Sequence, residues 1–237
     1  MRSASVVAGG PTAAAFVERA LALGLDLGLH VNLTEGRAVA GPAPTLTDAA
    51  GRFLGPKGEV WRRAAAGRLD AEAVRAEVWA QWNRLCSLGA VPSHVDGHNH
   101  VHLFPAVRAV LEEWREAVWV RVPDDRRGPP GARPELPGPF ERWTGELGRR
   151  LGRVAAFTGF VFSRDPSAET FLRSLDPPVP LLEFMVHPGR RSGSPFAASS
   201  RRDRETRILC APRLRQKVEA RGWRPASFQE VSCASPS

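Results

Sequence analysis

Residues 92–105, PSHVDGHNHVHLFP, carry four of the chain's six histidines: His94, His98, His100 and His102. The other two are His30, in LDLGLHV, and His187, which ends LLEFMVH and precedes Pro188-Gly189. Imidazole rings converging with a carboxylate are the chemistry of a divalent metal. Two or three such ligands with an open position activate a water for attack, and a further ring can protonate a leaving group. Asp96 lies between His94 and His98. On a strand it shares a side with both, as a ligand or as a carboxylate that orients a ring. His100 and His102 read as the start of the following loop and helix. Glu35, in HVNLTEG, could act as a general base or simply cap its loop. Arg121, near the end of AVWVRVP, could bind a substrate oxygen or pair with a carboxylate. Glu183 interrupts an apolar run and needs a partner.

Such residues must be brought together by strand ends. SASVVA (3–8), LDLGLHVNL (25–33), VPSHVD (91–96), AVWVRVP (117–123), GFVF (159–162), LLEFMVH (181–187) and ASFQEV (226–231) read as seven strands. Helices are expected at 12–23 after Pro11, from the N-cap Asp70 to Gly89, from Pro105, over FERWTGELGRRLGRVAAF (140–157), over AETFLRSL (168–175), and around 203–210 and 213–221. Alternating strands and helices imply a parallel sheet. The expected fold is α/β, a (β/α) barrel of about seven parallel strands, with a doubly wound sheet as the alternative. In a barrel all six histidines fall at or just past strand ends on one rim, where loops build active sites. The whole of 1–237 reads as one domain, with the Pro/Gly-rich stretch 124–139 as a loop insertion. No GxGxxG or GxxxxGK[ST] supports a nucleotide site.

A formal charge of +8 suggests nucleic acid as a partner, but there are only two lysines, one isoleucine and no tyrosine. Arginine standing in for lysine throughout points to coding bias, so no nucleic-acid partner is expected. No apolar run approaches the roughly 20 residues of a membrane helix, and the N-terminus lacks a secretory h-region. A cytoplasmic protein without membrane attachment is expected. Three widely spaced cysteines read as reduced thiols. A homo-oligomer is left open.

GLHVNLTEGRAV, PSHVDGHNHVHLFP and EFMVHPG resemble, in order, three elements of the YdjC-type carbohydrate deacetylases, also called chitooligosaccharide deacetylases. SASVVAGG and LRQKVEARGWRPASFQEV are also similar to that family. The resemblance implies a distorted (β/α) barrel, an acetylated carbohydrate substrate, hydrolysis of its acetamido groups, and dependence on magnesium. It implies His30 and His98 as metal ligands and His187 as general acid. The donor chemistry alone would also suit zinc, manganese or cobalt. His94, Asp96, Arg121 and Glu35 are the candidates to orient a ligand or meet substrate. The two ligand rings should bring their nitrogens within about 3–4 Å.

The family's opening strand, ending in Asp-Asp-Phe-Gly, and the helix after it find no match; Asp124-Asp125 does not correspond. One of those aspartates completes the metal site and the other is the base, so weak metal binding and little activity are expected. Two other readings compete. One is a catalytically silent sugar-binding paralogue. The other is an amidohydrolase-type hydrolase, suggested by DGHNH but short of the downstream histidines it needs.

Overall fold

The apolar run around Leu29 becomes the strand on which the first sheet is organised. In the computed structural model the described residues are 1–114, 116–125, 139–151, 155–193 and 199–234. In chain order the elements are β1 (Ser3–Val6), α1 (Ala13–Ala22), β2 (Asp26–Val31), α2 (Lys57–Ala65), α3 (Ala71–Ser87), β3 (His94–Gly97), a 3-10 segment (His98–Leu103), α4 (Pro105–Trp114) and β4 (Trp119–Val120). There follow α5 (Phe140–Leu151), β5 (Ala156–Thr158), α6 (Phe160–Arg164), α7 (Ala168–Arg173), β6 (Leu182–Phe184), α8 (Arg201–Leu209), α9 (Pro212–Glu219) and α10 (Phe228–Ala234). The chain groups into two units: Met1–Arg121, Pro137–Val154 and Pro225–Ser237 form the first, Val122–Leu136 and Ala155–Arg224 the second. Residues 126–138 of the proline-rich segment lie outside the described residues.

In the first unit, β1, β2, β3 and β4 pair in that order, all parallel. Parallel neighbours need crossovers, and α1, α2 with α3, and α4 supply them. Leu27, Leu29, Val31 and Val95 are buried with Val17 of α1, Val74, Val78 and Leu85 of α3, and Val107 and Leu111 of α4. Asp70 caps α3, its carboxylate accepting from the Glu72 and Ala73 N–H groups. The register sets His30 opposite Asp96. Two glycines make room for rings. A Cβ on Gly28 would overlap the His94 ring, and one on Gly97 would lie 2.7 Å from the His102 backbone nitrogen and 2.8 Å from its ring Nδ1.

In the second unit, β5 and β6 pair in parallel. Leu172, Leu175 and Leu214 are its buried centre, with Phe171, Leu182, Phe184 and Trp223 packed against them.

The architecture is therefore mixed α/β with parallel sheets. Among the described residues there are six strands, in a four-stranded and a two-stranded sheet, and neither closes into the expected barrel. Two expected strands are helices. At GFVF, the Asp125 carboxylate accepts from the Gly159 and Phe160 N–H groups at 3.0 Å each, and the chain turns into α6. The strand lies just before, at Ala156–Thr158, so the helix expected over 140–157 ends at Leu151. At ASFQEV, Ser227 and Glu230 cap each other: the Ser227 N–H donates to Glu230 Oε2 (2.6 Å) and the Glu230 N–H to Ser227 Oγ (3.1 Å). That reciprocal box starts α10. Helix α2 was not expected. Among the described residues no helix is long and apolar enough to cross a membrane, and Cys86 and Cys210 are free thiols.

Candidate active site

The carboxyl ends of β2 and β3 carry the ionisable groups, the edge at which open parallel sheets bind ligands. His30 Nδ1 lies 2.6 Å from Asp96 Oδ1. The other carboxylate oxygen, Oδ2, is 2.5 Å from Arg121 Nη1. Asp96 is buried. Burial opposes its ionisation, yet the Arg121 guanidinium and the His30 ring outweigh burial and hold the carboxyl well below its ordinary range. An ionised carboxylate can only accept, so the His30 Nδ1–H donates to Asp96, and Nε2 is the ring nitrogen left for another partner. Arg121 is fixed in turn by its own N–H, which donates to the Val95 carbonyl and continues the ladder past β4.

The His98 ring meets His30 edge to face, with centroids 5.5 Å apart. His98 Nε2 is 3.4 Å from Glu35 Oε1. The two rings expected to be ligands are thus neighbours, with a carboxylate beside each, Asp96 at His30 and Glu35 at His98. Among the described residues, no group of three or more His, Cys, Asp or Glu side chains is arranged to hold a metal ion.

His94 and His102 are buried rings. His94 lies 3.2 Å from Ser5 Oγ and 2.9 Å from Ser93 Oγ, and stacks on Phe228. Burial lowers its pKa to about 4. His102 Nε2–H donates to the Arg121 carbonyl at 3.1 Å, and burial lowers that ring to about 3. Both rings stay neutral near pH 7 and work as packing and hydrogen-bonding groups. His100 sits in the 3-10 segment with its ring against Phe140.

His187 belongs to the second unit. Its Nδ1 is 3.5 Å from Ser163 Oγ, and its N–H donates to Glu205 Oε2. Burial pushes the Glu205 carboxyl up. Glu183, expected to need a partner, lies on β6 and is only half-buried.

A family model described as YdjC-like protein matches residues 1–220. The chain belongs to that family. A mouse relative named carbohydrate deacetylase is 33% identical over an alignment 278 positions long, gaps included, which covers 99% of this chain and 87% of the relative. A Serratia marcescens relative named chitooligosaccharide deacetylase is 29% identical over 232 residues, covering 97% of this chain and 87% of its own length. Among solved structures, an Enterococcus faecalis protein described provisionally as a cellobiose-phosphate cleavage protein superposes with a TM-score of 0.76 and 21% identity, over 98% of this chain and 88% of that one. At that identity the likeness bears on the α/β fold alone.

Sequence reasoning missed the groups that hold the loop after β2. Asn32 Oδ1 accepts from the Thr34 and Glu35 N–H groups, and its amide donates to the Glu35 carbonyl. Gln81 of α3 accepts from the Asn32 N–H and donates to the Asn32 carbonyl. Glu77, one helical turn earlier, accepts from the Val39 and Ala40 N–H groups and from Gln81. Both α3 residues are buried. The signal was present: two polar residues at i, i+4 among Val74, Val78 and Leu85 on the apolar face.

Proposed function

We propose that this YdjC-like chain hydrolyses the acetamido group of N-acetylated sugars, releasing acetate and the free amine. The observation that carries the reading is the ordered array Arg121–Asp96–His30 beside His98 and Glu35 at the carboxyl ends of β2 and β3. The names of the relatives, carbohydrate deacetylase and chitooligosaccharide deacetylase, support the same substrate class.

The donors are suited to a divalent ion in part. His30, with Nδ1 committed to Asp96, offers Nε2, and His98 lies next to it. They would supply two ligands to such a centre; no third protein ligand is grouped with them among the described residues. Mg²⁺ by family resemblance, or Zn²⁺, Mn²⁺ or Co²⁺ by donor chemistry, would supply polarisation of the acetyl carbonyl when bound. The chain's own groups do the rest. Asp96 and Arg121 hold the His30 tautomer. Glu35, the carboxylate beside His98, is assigned the proton taken from the attacking water. His187 is assigned the proton that the departing sugar amine needs; that role rests on its motif.

The test is acetate release from N-acetylated chitooligosaccharides by the purified chain, with and without added divalent metal. Turnover that is metal-dependent and is lost in His98→Ala supports the reading. Oligosaccharide binding with no acetate released under any metal would instead favour a silent sugar-binding protein.

A further inference from the structure

The turn joining His98 to His102 is strained. Asn99 (φ 51°, ψ 27°) and His100 (φ 59°, ψ 29°) are consecutive non-glycine residues in the left-handed region. Asn tolerates that conformation; His does so at a cost that its surroundings must offset. The turn is also tight, since His102 passes so close under Gly97 that a Cβ there would sit 2.7 Å from the His102 nitrogen. This backbone lets His98 leave β3 toward Glu35 while His102 returns to the Arg121 carbonyl.

Two side chains hold it. Trp61 of α2 donates its indole N–H to the Asn99 carbonyl at 3.0 Å. Asn99 Nδ2 donates to Thr34 Oγ1 at 3.1 Å, and the Thr34 hydroxyl donates to Asn32 Oδ1. Trp61 is 5% exposed. Its ring is fixed edge-on to Phe104 (4.9 Å between centroids) and stacked on Phe140 (5.9 Å) and Trp143 (5.4 Å). An immobile, dry donor of this kind sets the position of its acceptor.

We propose that Trp61 is a positioning residue for His98, its indole N–H clamping the Asn99 carbonyl so that the left-handed turn aims the His98 ring at His30 and Glu35. This deepens the deacetylase reading and rests on it only for the catalytic consequence.

Trp61→Phe keeps most of the ring and removes the N–H. The experiment uses the metal-free full chain with ¹⁵N-labelled histidine rings. In Trp61→Phe the His98 ring signals should move while those of His94 stay. Amide exchange at residues 99–101 should rise about three- to tenfold, the worth of one neutral hydrogen bond. Adding His100→Gly, which relieves the strain the clamp opposes, should return the His98 signals toward wild type. Unchanged His98 signals and exchange in Trp61→Phe overturn the proposal. So does a Trp61→Phe chain that fails to fold and is not recovered by His100→Gly, since Trp61 is then a packing residue only. Acetate release is followed in parallel: its absence in the parent chain defeats the deacetylase reading, while the ring signals still decide the clamp.

Discussion

His30 and Asp96 face each other across the β2–β3 ladder, one residue pair in register, with Nδ1 and Oδ1 2.6 Å apart. Asp96→Asn keeps the shape and removes the charge that both His30 and Arg121 use. Breaking a buried ion pair in this way should cost about 3–5 kcal/mol of stability. Urea unfolding of the variant measures it, and a midpoint equal to wild type would show that the array contributes nothing to folding.

His30→Ala and His98→Ala should each weaken binding of a divalent ion, read by calorimetric titration of the metal into the chain. His187→Ala should leave that affinity nearly intact and lower acetate release by roughly 10²–10⁴-fold. Affinity and turnover collapsing together in His187→Ala would place that ring among the ligands.

Acid should destabilise the fold through two buried rings. Burial holds His94 at about 4 and His102 at about 3, against 6.5 for a solvated ring. Below 6.5 the unfolded chain takes up protons that the folded chain refuses. Stability is therefore complete above about pH 7 and falls as pH drops through 6.5 toward 4, by up to about 1.4 kcal/mol per ring per pH unit. Urea midpoints at about pH 7.5 and about pH 5 measure the slope, and His102→Gln should flatten it.

Gly28→Ala should destabilise the first unit strongly, since the added carbon has no space between the His94 ring and the His94 carbonyl. Overpacking of this sort costs about 1–3 kcal/mol. Gly24→Ala, where nothing lies within 4 Å, is the comparison; its cost comes only from φ +65°. A Gly28→Ala chain no less stable than Gly24→Ala would contradict the close approach.

The first four strands were legible because Val, Leu and Trp runs bounded by Gly and Pro leave few alternatives, and His30 and His98 mark the ends of β2 and β3. The capping box at Ser227 and Glu230 was equally legible and decides α10, but the apolar alternation of ASFQEV masked it. The cap that turns GFVF into α6 was not legible, because Asp125 is 34 residues away from Gly159. Helix α2 hides between proline- and glycine-rich turns, and only its Trp61, Val60 and Ala64 are buried. At the site, the histidines pointed to the ends of β2 and β3, and the register joined His30 to Asp96. The clamp from Trp61 depends on a backbone carbonyl in a left-handed turn, which side-chain spacing does not encode.

The first unit draws its last pieces from the end of the chain. Asp26 Oδ2 accepts from the Phe228 N–H at 2.9 Å and the Gln229 N–H at 3.2 Å, Arg2 pairs with Glu230, and Phe228 lies on His94. During synthesis, which proceeds from the N-terminus, β1 to β4 therefore emerge long before the residues that cover His94 and satisfy Asp26. The sheet that carries His30 and Asp96 must wait for the second unit's whole sequence to leave the ribosome before its own base can be sealed.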